Sequence, residues 1–149
     1  MSLSGLTISG LVALAAVLIE TVWTHRNPLL AKHSTNFAGL FSGSMGAYIA
    51  GFAALNAAVG FPLDSYWHSL YGIDVGIWAP FHVMILAGGA LIPLGAAYML
   101  ISAAQLATSA GNRRATRAGY FGAIVAFAAM MSVFTILLSD ALNNPGFIT

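Results

Sequence analysis

IWAPFHVMILAGGALIPLGAAYMLISAAQLA, Ile77 to Ala107, decides the fold class. It contains no Asp, Glu, Lys or Arg, and its single histidine, His82, lies near its start. Crossing a bilayer core takes roughly 20 helical residues, so this stretch is over-long and reads as a helix that tilts or rests its ends in the interface. Gly88, Gly89, Pro93 and Gly95 predict a kink near its middle. Three more apolar stretches reach spanning length: Leu3 to Thr24, Phe37 to Val59 and Ala118 to Leu142. The chain is 59% hydrophobic and 6% charged, with a mean hydropathy of +0.86, outside the range of soluble globular domains. None of the stretches alternates with a period of two, and all are rich in Ala, Leu and Gly, which excludes the strands of a membrane β-barrel. The expected fold is an all-α integral membrane protein with four transmembrane helices, about 3–24, 37–59, 77–107 and 118–142, in a single domain covering residues 1–149.

The first stretch has no basic leading region and no small-residue cleavage site before Trp23, so it reads as a retained helix rather than a signal peptide. The chain has no cysteine, which excludes disulfides, thiolate metal sites and thioether-linked haem. All five basic residues fall in two places, Arg26 and Lys32 after the first span, and Arg113, Arg114 and Arg117 after the third. By the positive-inside rule these connections face the cytoplasm. Both termini and the Pro62 to Gly76 segment then face the periplasmic or extracellular side, as expected for a bacterial inner-membrane protein. Asp64, Asp74 and Asp140 fall on that outer side, and Tyr66, Trp67, Tyr71 and Trp78 form an aromatic belt beside them. The net charge of +1 gives no reason to expect a nucleic acid. Small residues at Gly39, Gly43 and Ala47, and at Ser42, Gly46 and Ala50, match the close-packing pattern of membrane helices. The expected partners are membrane lipid and either other membrane subunits or further copies of this chain.

LDSYWHSLYGIDVGIWAPFH, Leu63 to His82, holds two of the four acidic residues and two of the four histidines. Asp64 and His68 are four apart and share one face of a helical turn. Pro80 fits the first turn of the next span, where its missing donor is not needed, which places His82 about one turn inside the membrane, beneath the outer segment 62–82. One carboxylate and two imidazoles suit Cu(II), Zn or Fe(II). Asp74 fits as a fourth ligand or as an acceptor that fixes an imidazole tautomer. The plain alternative is an Asp64–His68 interfacial pair with His82 hydrogen-bonded across the bundle. Ionisable groups at membrane depth are costly and usually functional, which favours the metal.

The run Asp64, Trp67, His68, Asp74, Pro80, His82 resembles a segment of the C-type membrane subunit of the copper-dependent membrane monooxygenases, the particulate methane and ammonia monooxygenase family. In that subunit the residues matching Asp64, His68 and His82 bind copper on the periplasmic side. The likeness extends to WTHRNPL, Trp23 to Leu29, and to FTILLSDALNNPGF, Phe134 to Phe147. It implies that Asn143 matches an Asn of a second copper site, which shares the His matching His82. Phe147 stands where the family has a metal-binding His, and one extra residue separates Asp74 from His82. The resemblance covers nearly all of this chain and the central part of the family subunit.

Glu20 reads as a partner of Arg26 or Lys32, or as a hydrogen-bonding group within the bundle, with a proton relay as the functional alternative. His25 and His33 flank basic residues and read as solvated. Asp140 and Asn143 end the fourth span on the outer side, where either is a candidate further ligand, while Asn143 to Gly146 also reads as a plain helix stop. Met45, Met84, Met99, Met130 and Met131 do not cluster at an outer mouth and read as packing. Three functional readings remain open. The first is a copper-binding subunit that oxidises a small substrate or delivers copper, which is an oxidoreductase only if oxygen chemistry occurs at the site. The second is a non-enzymatic structural or accessory transmembrane subunit. The third, a haem or quinone module, is disfavoured because no other span offers an outward histidine to pair with His68 or His82.

Overall fold

The computed structural model describes residues 8, 11–12, 15, 18–19, 21–23, 26, 35–37, 40–72 and 77–143. The described residues between 8 and 26 are helical. After them come two short strands, β1 (Thr35–Phe37) and β2 (Phe41–Gly43), and three long helices, α1 (Met45–Tyr71), α2 (Pro80–Ser109) and α3 (Arg113–Asn143). Among the described residues these three helices, rather than four, are long and apolar enough to cross a membrane.

The second expected span begins later and ends later than the sequence suggests. A helix from Phe37 is replaced by an antiparallel hairpin pairing Thr35 with Gly43, Asn36 with Ser42 and Phe37 with Phe41. Asn36, Ser42 and Gly43 compete poorly for helix. Ser44 then starts α1 as its N-cap, its Oγ accepting from the Ala47 N–H at 3.3 Å. Thr21 Oγ1 donates to the Ser42 carbonyl at 2.9 Å and accepts from the Ser42 N–H at 3.0 Å, which ties the preceding helical residues to β2. At its far end α1 runs through Pro62 to Tyr71, so Asp64 and His68 lie on its last two turns rather than in a loop. With 27 residues, α1 exceeds the roughly 20 needed to cross a hydrocarbon core.

Close backbone approach sets the packing. Gly46, Ala50, Ala53, Ala57 and Gly60 are all buried on α1, and their alternating spacing of four and three keeps one seam facing a partner. A Cβ added at Gly46 would stand 2.5 Å from the Gly95 carbonyl oxygen, and one at Gly88 would stand 2.5 Å from Ala57 Cβ and 2.7 Å from the Ala53 oxygen. The pairing order makes α1 and α2 antiparallel. Asn56 adds a bond across the seam, its Nδ2 donating to the Met84 carbonyl at 2.8 Å. On the other side of α2, Gly119 of α3 meets Leu100 and Ala104, again antiparallel.

Thus α2 is central, and α1 and α3 pack on it far more than on each other. Only Gly119 and Ala123 of α3 are buried, and Phe121, Ile124, Leu138 and Leu142 are exposed. In lipid such a face needs no protein cover. The α2–α3 corner is tight because Gly111, at φ +70°, allows a Schellman closure with Asn112 N–H to Ala107 O at 2.9 Å and Gly111 N–H to Thr108 O at 3.0 Å. Asn112 Oδ1 then caps α3 through the Ala115 N–H at 3.1 Å. α3 begins at Arg113, so the three arginines expected in a connection belong to its first two turns.

Candidate metal centre

Three features bring the candidate ligands together. Gly60 lets α1 approach α2 closely, a Cβ there meeting Ile85 Cγ1 at 3.0 Å and the Phe81 oxygen at 3.4 Å. Ala79 is the N-cap of α2 and Pro80 opens its first turn, as Pro does where its missing N–H leaves no bond unmade. Trp67 of α1 packs on Tyr71, with ring centroids 4.3 Å apart, and edge-on against Phe81 of α2 at 5.8 Å. His82 follows Phe81 directly and is carried to the neighbouring face of α1.

Asp64, His68 and His82 each offer a donor atom, and these lie within 4.8 Å of one another. Asp64 is the hub. Its Oδ1 stands 3.1 Å from His82 Nε2 and its Oδ2 stands 3.5 Å from His68 Nε2. Two donors about 2.0 Å from one ion in tetrahedral geometry are about 3.3 Å apart, and these two contacts, each through a different carboxylate oxygen, lie near that spacing. The imidazole centroids are 5.6 Å apart and tilted by 48°. The Asp64 side chain is 17% exposed and each histidine side chain 26%, so the cluster is shielded yet reachable.

The hydrogen bonds explain why this arrangement invites a cation. His68 Nδ1 stands 3.0 Å from the Gly72 carbonyl, which can only accept, so Nδ1 carries the proton. With Nδ1 protonated, a Nε2 lone pair would face a carboxylate oxygen, two acceptors opposed unless a proton or a metal ion lies between them. Asp64 Oδ1 is buried without a hydrogen bond. Its 3.1 Å contact with His82 is close enough for electrostatic attraction but is not aligned as a hydrogen bond. A buried carboxylate oxygen in this position is costly without a positive partner.

Gly72, whose carbonyl meets His68, is the residue of the candidate site that the sequence reading missed. It closes α1 with φ +85° and ψ −176°, a conformation that in practice only glycine adopts, and its N–H returns to the His68 carbonyl at 3.0 Å. A Cβ there would touch nothing within 4 Å, so glycine serves conformation and not space. The sequence signal was a glycine four residues after a histidine at a helix end.

Among the described residues, Asp140 does not join the cluster. Asn143 lies at the end of α3 and donates through Nδ2 to the Ser139 carbonyl at 2.8 Å. Asp74, Phe147, Glu20, Lys32, His25 and His33 lie outside the described residues.

No protein-family model, curated protein or solved structure matches this chain.

Proposed function

We propose that this chain is a copper-binding subunit of a membrane complex, with Asp64, His68 and His82 as the metal ligands. The observation that carries the reading is the junction of the α1 and α2 ends, where a tautomer-fixed imidazole, a second imidazole and a hydrogen-bond-deprived carboxylate oxygen converge within 4.8 Å. Two imidazoles and one carboxylate suit Cu(II), with Zn and Fe(II) as competing occupants, and copper stands above zinc in intrinsic affinity. The resemblance to the copper membrane monooxygenases supports copper and an outward, periplasmic site in a bacterial inner membrane.

A three-ligand site leaves coordination positions open. Bound there, copper would supply redox chemistry for oxidation of a small substrate, or would be passed to a partner. Asp64 would neutralise the ion, His68 and His82 would hold it through Nε2, and Gly72 would orient His68.

The second reading, a structural or accessory subunit, is favoured by the same cluster if the space between His68 and Asp64 holds only a proton, giving an ion pair that fastens the α1 end to α2. Metal analysis of purified wild type and of a His68→Ala, His82→Ala variant separates the two. Near-stoichiometric copper in wild type and background copper in the variant supports the first reading. Equal copper in both overturns it.

A further inference from the structure

The opposite end of α2 carries a charge pattern that the metal site does not use. Arg113, Arg114 and Arg117 lie in the first two turns of α3, with no acidic residue in its first turn. The arrangement is unfavourable on two counts. Positive side chains sit at the positive end of the helix dipole, and Arg113 and Arg117 are like charges four apart on one helix face. No carboxylate among the described residues pairs with them: Asp64 lies in the metal cluster and Asp140 lies one residue after Ser139 at the other end of α3.

A cavity opens where these charges gather. About 270 Å³ in volume, it is lined by Thr108, Gly111, Arg113, Thr116 and Arg117. The Thr108 and Thr116 hydroxyls meet at 3.3 Å across its wall. Thr108 also donates to the Ala104 carbonyl at 2.8 Å and Thr116 to the Asn112 carbonyl at 3.0 Å. Their protons are thereby engaged, which leaves oxygen lone pairs for a hydroxyl or ammonium group of a ligand. Since α2 and α3 are both apolar enough to span, their shared corner falls at a membrane surface.

We propose that this corner binds the phosphodiester headgroup of an anionic phospholipid. Arg113 and Arg117 hold the phosphate oxygens in a two-armed grip, Arg114 adds charge from the rim, and the threonine oxygens accept from the polar end of the headgroup. The anion relieves both the helix-dipole conflict and the arginine repulsion. Its acyl chains run along the exposed apolar surface of α3, where Tyr120, Phe121 and Ile124 lie bare. A lipid is favoured over free phosphate because the cavity adjoins that surface.

Native mass spectrometry of the full chain released from detergent tests this, with dioleoyl phosphatidylglycerol, dioleoyl phosphatidylcholine and inorganic phosphate as probes. Wild type is expected to retain one phosphatidylglycerol in preference to phosphatidylcholine. An Arg113→Gln, Arg117→Gln variant keeps good helix formers at exposed positions and is expected to lose about thirtyfold in that retention, near fivefold per arginine. Independently of any variant, wild-type retention is expected to fall as NaCl rises from about 0.1 M to about 1 M. Millimolar inorganic phosphate that leaves the lipid bound supports a lipid site, and phosphate that displaces it overturns the lipid assignment. Equal retention of the two lipids, or equal retention by wild type and variant, overturns the proposal and leaves the arginines with an orienting role alone.

Discussion

Where α2 begins, His82 meets Asp64 and His68 in a shielded triangle, and where it ends, the chain passes to three exposed arginines with no acid beside them among the described residues. The first junction is made by side chains from two helices held face to face, the second by one tight corner and the first turns of α3. A compact, partly dehydrated group of donors selects a small cation by geometry, because each ligand must reach one point. An open group of guanidiniums selects a large anion by charge and tolerates imprecise placement. On the two proposals the same helix ends in two kinds of recognition, and the substitutions below test how far the first depends on geometry.

The largest effect is expected from Asp64→Asn, which keeps the shape of the side chain and removes its charge. Copper measured by mass spectrometry should fall to background. The melting temperature of copper-free protein should stay the same or rise, because the change relieves a buried charged oxygen whose burden is ~1–3 kcal/mol. A clear loss of copper-free stability would instead favour the structural ion pair.

Gly72→Ala comes next. An L-residue resists the backbone angles that aim the Gly72 carbonyl at His68, so copper affinity should weaken by about 10–100-fold while the helical signal persists. Pulsed electron paramagnetic resonance should show altered coupling to the remote imidazole nitrogen. Unchanged affinity and spectrum would remove the carbonyl from the account of the site.

Gly88→Ala tests the geometry from a distance. Its Cβ would meet backbone and side chain of α1, and overpacking of this kind costs roughly 1–3 kcal/mol. Thermal unfolding in detergent should register the loss, with weaker copper binding in the protein that still folds. The smallest effect is expected from Asn56→Ala. It deletes one inter-helix hydrogen bond to Met84, a contribution of about 0.6 kcal/mol in lipid, and should leave copper stoichiometry unchanged.

The three candidate ligands that the structure brings together were legible because local chemistry announced them. Asp64 and His68 are one turn apart, and Pro80 marks a helix start two residues before His82. The hairpin at Thr35–Gly43 was not legible, since the apolar run from Phe37 to Val59 is continuous and its glycines and serines fit a helix-packing pattern. In the structure Ser42 instead bonds Thr21 and Ser44 caps α1. The same pattern did operate, but farther along, in Gly46 to Gly60. Nor was the Gly72 carbonyl legible, because the direction of a backbone carbonyl follows from two dihedral angles and not from residue type.

The glycine seam between α1 and α2 acts on the triad from afar. Where carbonyl oxygens rest directly against a neighbouring backbone, sliding one helix by a single residue drives a methyl group into an occupied space, so the pair has very few permitted registers. Gly46 and Gly95, several turns below Asp64 and His82, therefore serve as the zero mark of a ruler whose far end sets the span between carboxylate and imidazole.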